Sequence, residues 1–237
     1  ATAENVLALP RIPRPEAQSR FRPVAHVITA PTFLEGEGFQ VRRPFPGIDM
    51  GLADPFLLLD HLGAVEYAPG EAKGAPWHPH RGFETVTYII DGAMEHHDST
   101  GGGGLISDGA TQWMTAGAGV LHDELPPEWL VRKGGLFHGV QLWVNLPREM
   151  KWTPPRYQDI APERIPIVQA TGGAQVRVIA GEVPSASGIV ARGPVEGIAT
   201  DPTYFDVSLP KGANFGHQLP ADHSAFLYVF EGQAQVG

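Results

Sequence analysis

The fold is decided by residues 77–92, WHPHRGFETVTYIIDG. The second half of this stretch is mostly β-branched or aromatic, and such residues favour β-strands. Asp91-Gly92 ends it, and this dipeptide is a strong signal for the turn of a β-hairpin, whose second strand should follow directly. In the first half, His78 and His80 are two residues apart, so an extended backbone points both side chains to one face. Pro79 between them lacks a backbone N–H, which predicts an edge strand or an irregular strand.

Short strands joined by turns should form the rest of the chain. Glycine (29 residues) and proline (23 residues) are abundant, which suits tight turns and works against long helices. The strongest strand candidates are residues 84–90 and 136–146. In the latter, one face is apolar and the other carries Gln141, Trp143 and Asn145. No segment has a sustained helical period, so we predict an all-β chain built as a sandwich, jelly roll or barrel.

A second pair of ligand-type side chains lies about 40 residues after the first. His122 and Glu124 are again two residues apart and should share one face of a strand. Polar and charged groups inside a barrel are costly unless they are paired or bind a metal. The sequence contains no cysteine, so a metal would have only nitrogen and oxygen ligands. We predict one divalent transition metal held by His78, His80, His122 and Glu124.

Other candidate residues have competing interpretations. Glu84 follows His80 by four residues and is either a fifth ligand or an acceptor that orients an imidazole; we favour the second, because Glu124 already supplies a carboxylate. His96 and His97 are adjacent, so at most one points inward, and a surface role is favoured. The remaining histidines lack partners at ligand spacing and are interpreted as structural: His26, His61, His138, His217 and His223.

A weak internal repeat predicts two related barrels. Residues 226–232 resemble residues 86–92, and aligning the copies puts Gln218 and Pro220 at the positions of the two histidines. Only the first copy is therefore equipped to bind a metal. We expect an N-terminal arm and metal-binding barrel over residues 1–146. Residues 147–237 should then form a linker and a partial barrel without metal ligands.

Composition argues against several classes of function. The net charge is −9 and no basic stripe is present, which argues against direct binding to nucleic acid. No apolar run approaches the ~20 residues that span a bilayer. The first ten residues do not resemble a signal peptide. Together with the absence of cysteine, these features favour a protein of the cytoplasm that does not bind membranes.

The histidine segments resemble the two motifs of the cupin superfamily. The pattern His78-x-His80-x(3)-Glu84 looks like the first motif. Gly117-x-Gly119-x-x-His122 looks like the second, although many cupins have proline at the position of Gly117. More narrowly, the chain is similar to the pirin family over about residues 41–146, in these stretches: 54–60, 79–86, 112–117, 121–124 and 141–146.

The resemblance implies two cupin (jelly-roll) β-barrels, with a metal only in the N-terminal barrel. Its ligands would be the four residues proposed above. Iron is often the metal of pirins, so Fe(II) is the expected cofactor, with Mn, Ni, Co, Cu or Zn as alternatives. Only five residues follow Gly232. The second barrel is therefore expected to be incomplete in this chain, or to be completed by a part that lies outside it.

Some pirins show quercetin 2,3-dioxygenase activity, so the resemblance implies an oxygenase that cleaves flavonol-like or enol substrates with O₂. Glu124 is then the candidate base for the substrate hydroxyl. Candidates for the pocket wall are Asp60, Gln141 and Trp143, with core packing as the alternative for Trp143. A second hypothesis is a non-enzymatic, metal-binding regulator of a protein partner, either a transcription factor or a metabolic enzyme. A third is another cupin reaction, because fold does not determine function.

Overall fold

The computed structural model describes residues 20–45 and 50–236. The predicted N-terminal arm lies largely outside these residues. Within them the chain is all-β, as predicted, and its helices have only three to six residues. The described part of the chain contains no helix with the length and apolar character needed to cross a membrane. Localisation in the cytoplasm stays a prediction.

The described residues group into two compact units. The first consists of His26–Arg164, apart from residues 46–49, and Ser224–Ala234. The second consists of residues 20–25, Ile165–His223 and 235–236. The chain passes between units at Arg164 and Ile165. Arg156–Ile160 forms a strand that pairs with Thr111–Thr115 in the first unit. The division into a barrel over residues 1–146 and a linker with a partial barrel over residues 147–237 stays a prediction.

Short strands build the first unit in the order β1 (Thr32–Glu35), β2 (Phe39–Arg42), β3 (Phe56–Tyr67), β4 (Ala75–His80), β5 (Phe83–Asp91), β6 (Ala93–Asp98), β7 (Gly103–Ser107), β8 (Thr111–Thr115), β9 (Val120–Leu125), β10 (Gly135–Asn145) and β11 (Arg156–Ile160). Two short α-helices, α1 (Met50–Ala53) and α2 (Glu128–Lys133), and two 3-10 helices, Arg148–Met150 and Pro162–Arg164, lie between strands. The strands predicted over residues 84–90 and 136–146 correspond to β5 and β10.

Two antiparallel sheets form this unit. The larger has the order β1-β2-β3-β10-β5-β8-β11, and the smaller has the order β4-β9-β6-β7. Side chains from both sheets meet in one apolar core, with Leu62, Ile89 and Phe137 from the larger sheet and Met94 and Ile106 from the smaller. Burial of these side chains stabilises the two-sheet arrangement, at about 25 cal/mol for each Å² of apolar surface.

The turn at Gly92 differs from its prediction. The strands on either side form as expected, but β5 belongs to the larger sheet and β6 to the smaller, so the two are not hairpin partners. Ile89 and Met94 flank the turn and both enter the core, which requires the chain to bend between sheets. Gly92 has φ of 90°, and a Cβ atom there would lie 2.5 Å from the carbonyl oxygen of Leu136.

The second unit has its own small core. Its strands are β12 (Ile167–Gln169), β13 (Gln175–Ala180), β14 (Glu182–Pro184), β15 (Val190–Arg192) and β16 (Tyr204–Ser208). They pair as a three-stranded sheet, β12-β13-β16, and a two-stranded sheet, β14-β15. Val176, Val178 and Val183 are buried there, with Phe205 packed against them. That this unit is an incomplete cupin barrel stays a prediction.

The repeat segment, residues 226–232, belongs to the first unit and carries no assigned strand. Alternate side chains of this segment nevertheless contact other parts of the first unit. Phe226 packs edge-on against Phe45 and Phe56, with ring centroids 5.0 and 4.8 Å apart. Tyr228, two residues later, contacts His61. Phe226 and Tyr228, two residues apart, therefore both pack onto the first unit, without the backbone pairing of a sheet.

Replacement of Gly92 by alanine should destabilise the first unit more than replacement of Gly101, which has φ of 89° and no atom within 4 Å of the place that a Cβ would take. Gly101→Ala should cost about 1–2 kcal/mol from backbone conformation alone. Gly92→Ala should cost about 1–3 kcal/mol more, because its Cβ overlaps backbone. Urea denaturation measures the free energy of unfolding of both variants. Equal losses of stability would contradict the steric explanation.

Candidate metal centre

The smaller sheet brings three predicted ligands together. His78 on β4 lies directly opposite His122 on β9, and His80 follows His78 on the same face. β4 is an edge strand with a register shift between Ala75 and His78, as Pro79 predicted. One ligand nitrogen from each of the three imidazoles lies within 4.8 Å of the others. The three histidines therefore form a metal-binding cluster.

The nitrogen atoms of this cluster have the arrangement that a cation requires. His78 Nδ1 lies 2.8 Å from the carbonyl oxygen of Pro76, to which it donates, so His78 Nε2 keeps its lone pair. That Nε2 lies 3.1 Å from His80 Nε2. His122 Nε2 is buried and has no hydrogen-bond partner among the described residues. Because buried polar atoms are normally bonded, three converging nitrogens fit a shared metal ion.

Burial keeps two of these ligands in the form that binds metal. The pKa values of His80 and His122 are each lowered to about 3, mainly because burial disfavours the charged imidazolium and also because neighbouring imidazoles repel it. Both rings are therefore neutral at pH 7. A neutral imidazole offers a lone pair, so no proton has to leave these two residues when a metal binds.

Glu124 is held beside the cluster by the opposite sheet. Gln141 on β10 donates from Nε2 to both carboxylate oxygens of Glu124, at 2.8 and 2.9 Å, and the Thr87 hydroxyl donates at 3.3 Å. Trp143 Nε1 donates to Gln141 Oε1 at 3.1 Å, which orients the amide. The Glu124 carboxylate is not part of the group within 4.8 Å. Its role as a fourth ligand stays a prediction.

Two aromatic rings flank His80. Trp143 and Phe83 stack with their centroids 4.6 Å apart, and the His80 ring meets them edge-on at 5.0 and 5.1 Å. Both rings are only partly buried. Trp143 is thus not enclosed in the core: it contacts a ligand histidine and, through Gln141, supports Glu124.

Asp60, another predicted wall residue, is held in an ion pair. Arg43 donates to both carboxylate oxygens of Asp60 at 2.6 Å. Burial raises the pKa of Asp60, and Arg43 opposes this rise. Asp60 lies opposite Gln141 in the pairing of β3 with β10, yet both of its oxygens are engaged by Arg43. Its place in a substrate pocket stays a prediction.

Glu84 has a hydroxyl rather than an imidazole as its partner. The Thr115 hydroxyl donates to Glu84 Oε1 at 2.6 Å, while Oε2 is buried without a hydrogen-bond partner among the described residues. Burial raises the pKa of Glu84. We predicted that Glu84 would accept a hydrogen bond from an imidazole. The hydrogen bond that it accepts comes from the Thr115 hydroxyl instead.

His96 corrects the surface role expected for the adjacent histidine pair. Its residue surface is 0% exposed, and its Nδ1 lies 3.1 Å from Nδ1 of the ligand His122. His97 points the other way, is half exposed and pairs with Asp123. The alternation was predicted correctly, but which of the two points inward depends on Met94 and Asp98, which share the buried face with His96.

His61 and His138 also have partners that sequence spacing could not reveal. Their Nε2 atoms lie 2.8 Å apart between β3 and β10, and the Tyr228 hydroxyl lies 3.0 Å from His61 Nδ1. The two residues are separated by 77 positions in sequence and meet only through strand pairing. They belong to a second, separate cluster of two histidines and a tyrosine.

The chain is similar to known proteins both in sequence and in structure. The family model Pirin matches residues 38–144. A pirin-like protein of Caulobacter vibrioides is 40% identical over 215 residues, which are 91% of this chain and 75% of that protein. Pirin of Rattus norvegicus is 40% identical over 204 residues, 86% of this chain and 64% of that protein.

A solved structure shows the same similarity. The crystal structure of quercetin 2,3-dioxygenase from Acinetobacter baumannii is 44% identical and superposes with a TM-score of 0.64. The match covers 72% of this chain and 59% of that one. This chain therefore spans less than two thirds of the solved dioxygenase.

Replacement of His122 by alanine should remove stoichiometric metal, because the cluster loses its central buried ligand. We expect affinity for Zn²⁺ to fall by more than about 100-fold. Mutation of a residue that only hydrogen-bonds to a metal ligand typically lowers affinity by about 10–100-fold. The matched control is His97→Ala on the same sheet, whose exposed side chain lies outside the cluster. Isothermal titration gives both affinities. Equal binding by wild type and His122→Ala would show that the metal sits elsewhere.

Proposed function

The chain belongs to the pirin family, and we propose that it is a metal-dependent oxygenase of quercetin 2,3-dioxygenase type. Its substrates would be flavonol-like or other enolic small molecules, with O₂ as co-substrate. The observation that carries this proposal is the convergence of three imidazoles beside a carboxylate that the opposite sheet holds in place. Similarity to the solved dioxygenase supports it.

The donor set suits the metals that such chemistry uses. His78, His80 and His122 supply nitrogen, and we propose Glu124 as an oxygen ligand. Imidazole and carboxylate donors bind Fe(II), our first choice, as well as Mn, Ni, Co, Cu or Zn. When bound, any of these metals would supply a Lewis acid for an enolic oxygen, and Fe(II) would also supply a redox centre for O₂.

We assign Glu124 a further role as the base for the substrate hydroxyl. A carboxylate can accept several hydrogen bonds, and Gln141 and Thr87 use only part of this capacity. The amide of Gln141 is neutral, so it fixes the carboxylate without cancelling its charge. A carboxylate positioned within reach of a hydroxyl can take its proton during reaction.

Phe83 and Trp143 are candidates for the wall that receives a flat substrate. Their stacked, partly exposed rings lie beside His80 and so beside the proposed metal. Offset or edge-on contact with another aromatic ring contributes about 0.5–1.5 kcal/mol beyond burial. Planar polyphenols therefore fit this wall better than flexible aliphatic substrates.

Protein loaded with Fe(II) should consume quercetin and O₂ together, and should leave quercetin intact under anaerobic conditions until oxygen is admitted. Glu124→Gln keeps the size of the side chain and removes its charge, so kcat should fall by about 10²–10⁴-fold. Glu128→Gln, an exposed carboxylate on α2, should match wild type. Absorbance of quercetin and an oxygen electrode give the rates, and metal analysis of each variant expresses them per bound iron.

If wild type and Glu124→Gln consume quercetin at equal rates and equal iron content, Glu124 is not the base. Absence of turnover by iron-loaded wild type with quercetin and a panel of enolic substrates would contradict the oxygenase. That result would favour the non-enzymatic regulator as the function of this chain.

A further inference from the structure

Behind the ligand His122 lies a buried polar pair on the neighbouring strand. β6 pairs with β9, and it carries His96 opposite Glu124 and Asp98 opposite His122. His96 and Asp98 are two residues apart, so both point to the interior, where their residue surfaces are 0% and 6% exposed. Polar side chains at this depth need a partner or a function.

The contact between His96 and His122 restricts where their hydrogens can be. The two Nδ1 atoms lie 3.1 Å apart, so one must donate and the other accept. If His122 Nδ1 donates, His122 Nε2 keeps the lone pair that a metal needs. If His96 Nδ1 donates, a neutral His122 carries its hydrogen on Nε2 and cannot bind the metal there. The tautomer of His96 thus decides whether His122 can be a ligand.

The first arrangement is the one that leaves His122 Nε2 able to bind a metal, and it also fixes the hydrogen of His96. With its Nδ1 accepting, His96 carries its hydrogen on Nε2, which is buried and has no hydrogen-bond partner among the described residues. Glu124 and, after it, Asp98 supply the negative charge that acts on His96, and Asp98 Oδ2 is also buried. A negative charge attracts an N–H and repels a lone pair.

Asp98 is itself fixed in place. Its Oδ1 accepts hydrogen bonds from the Thr100 amide and the Thr100 hydroxyl, both at 2.7 Å, and from the Gly102 amide at 2.9 Å. Three donors to one oxygen hold the carboxylate rigidly at the end of β6. Asp98 therefore acts on His96 through its charge, since no hydrogen bond joins the two side chains among the described residues.

We propose that His96, supported by Asp98, is a positioning residue that holds His122 in the tautomer whose Nε2 faces the metal. The arrangement extends the common carboxylate–histidine–metal pattern by one imidazole. This inference rests on the proposed metal binding by His122. It is independent of the reaction that the metal serves.

Affinity for Co²⁺ tests the acceptor role of His96. His96→Phe keeps a ring but removes the acceptor, and affinity should fall by about 10–100-fold. His96→Asn can place its amide oxygen near the position of Nδ1 and should recover most of this loss. His97→Phe, next in sequence but on the outer face, should equal wild type. Far-ultraviolet circular dichroism and urea denaturation confirm that each variant folds.

Nitrogen NMR of the Zn²⁺-loaded protein tests the tautomer directly, without any mutation. We expect the His96 hydrogen on Nε2 and the His122 hydrogen on Nδ1. Asp98→Asn removes the charge, and it should weaken Co²⁺ binding and increase exchange between tautomers of His96. If His96 served only in packing, Asp98→Asn would leave the nitrogen signals of His96 and His122 unchanged.

Three results would overturn the proposal. One is a His96 hydrogen on Nδ1 in the Zn²⁺-loaded protein. Another is wild-type Co²⁺ affinity in a folded His96→Phe variant. A third is equal loss in His96→Phe and His96→Asn, which indicates packing alone. If wild type binds neither Co²⁺ nor Zn²⁺, the metal centre itself is wrong. That failure differs from a failure of the His96 proposal, in which wild type binds metal and the variants do not behave as expected.

Discussion

The structure depends on one constraint: three imidazoles converge inside a two-sheet unit, and the buried Nε2 of His122 has no hydrogen-bond partner among the described residues. Water would satisfy such atoms at a surface. Inside, His80 and His122 are almost fully buried, and burial itself keeps them neutral. Neutral nitrogens that face one another gain little unless an electrophile lies between them. A metal ion is the simplest partner that satisfies all of them at once.

Each side of the cluster is supported by a different part of the fold. On one side, β10 of the larger sheet reaches across with Gln141, which fixes Glu124 and is itself oriented by Trp143. On the other side, β6 of the smaller sheet supplies His96 behind His122. The centre therefore lies between the two sheets and depends on both. A change in their packing would be expected to alter ligand geometry before it unfolded the unit.

The sequence predicted much of this site because the period of two in a strand is a local property. His78, His80 and His122 followed from spacing alone. The pairing of His61 with His138 and the inward direction of His96 did not, since both depend on which strands become neighbours. The turn at Gly92 was misassigned for the same reason: its residues suit a hairpin, but core packing of Ile89 and Met94 sends the next strand to the other sheet.

Anomalous diffraction at the zinc absorption edge, from crystals of the Zn²⁺-loaded protein, is the most direct test of the central claim. The account predicts one peak in the first unit, about 2.0–2.1 Å from a nitrogen of each of His78, His80 and His122. A peak outside this cluster, or a peak that touches only one of these rings, would contradict it.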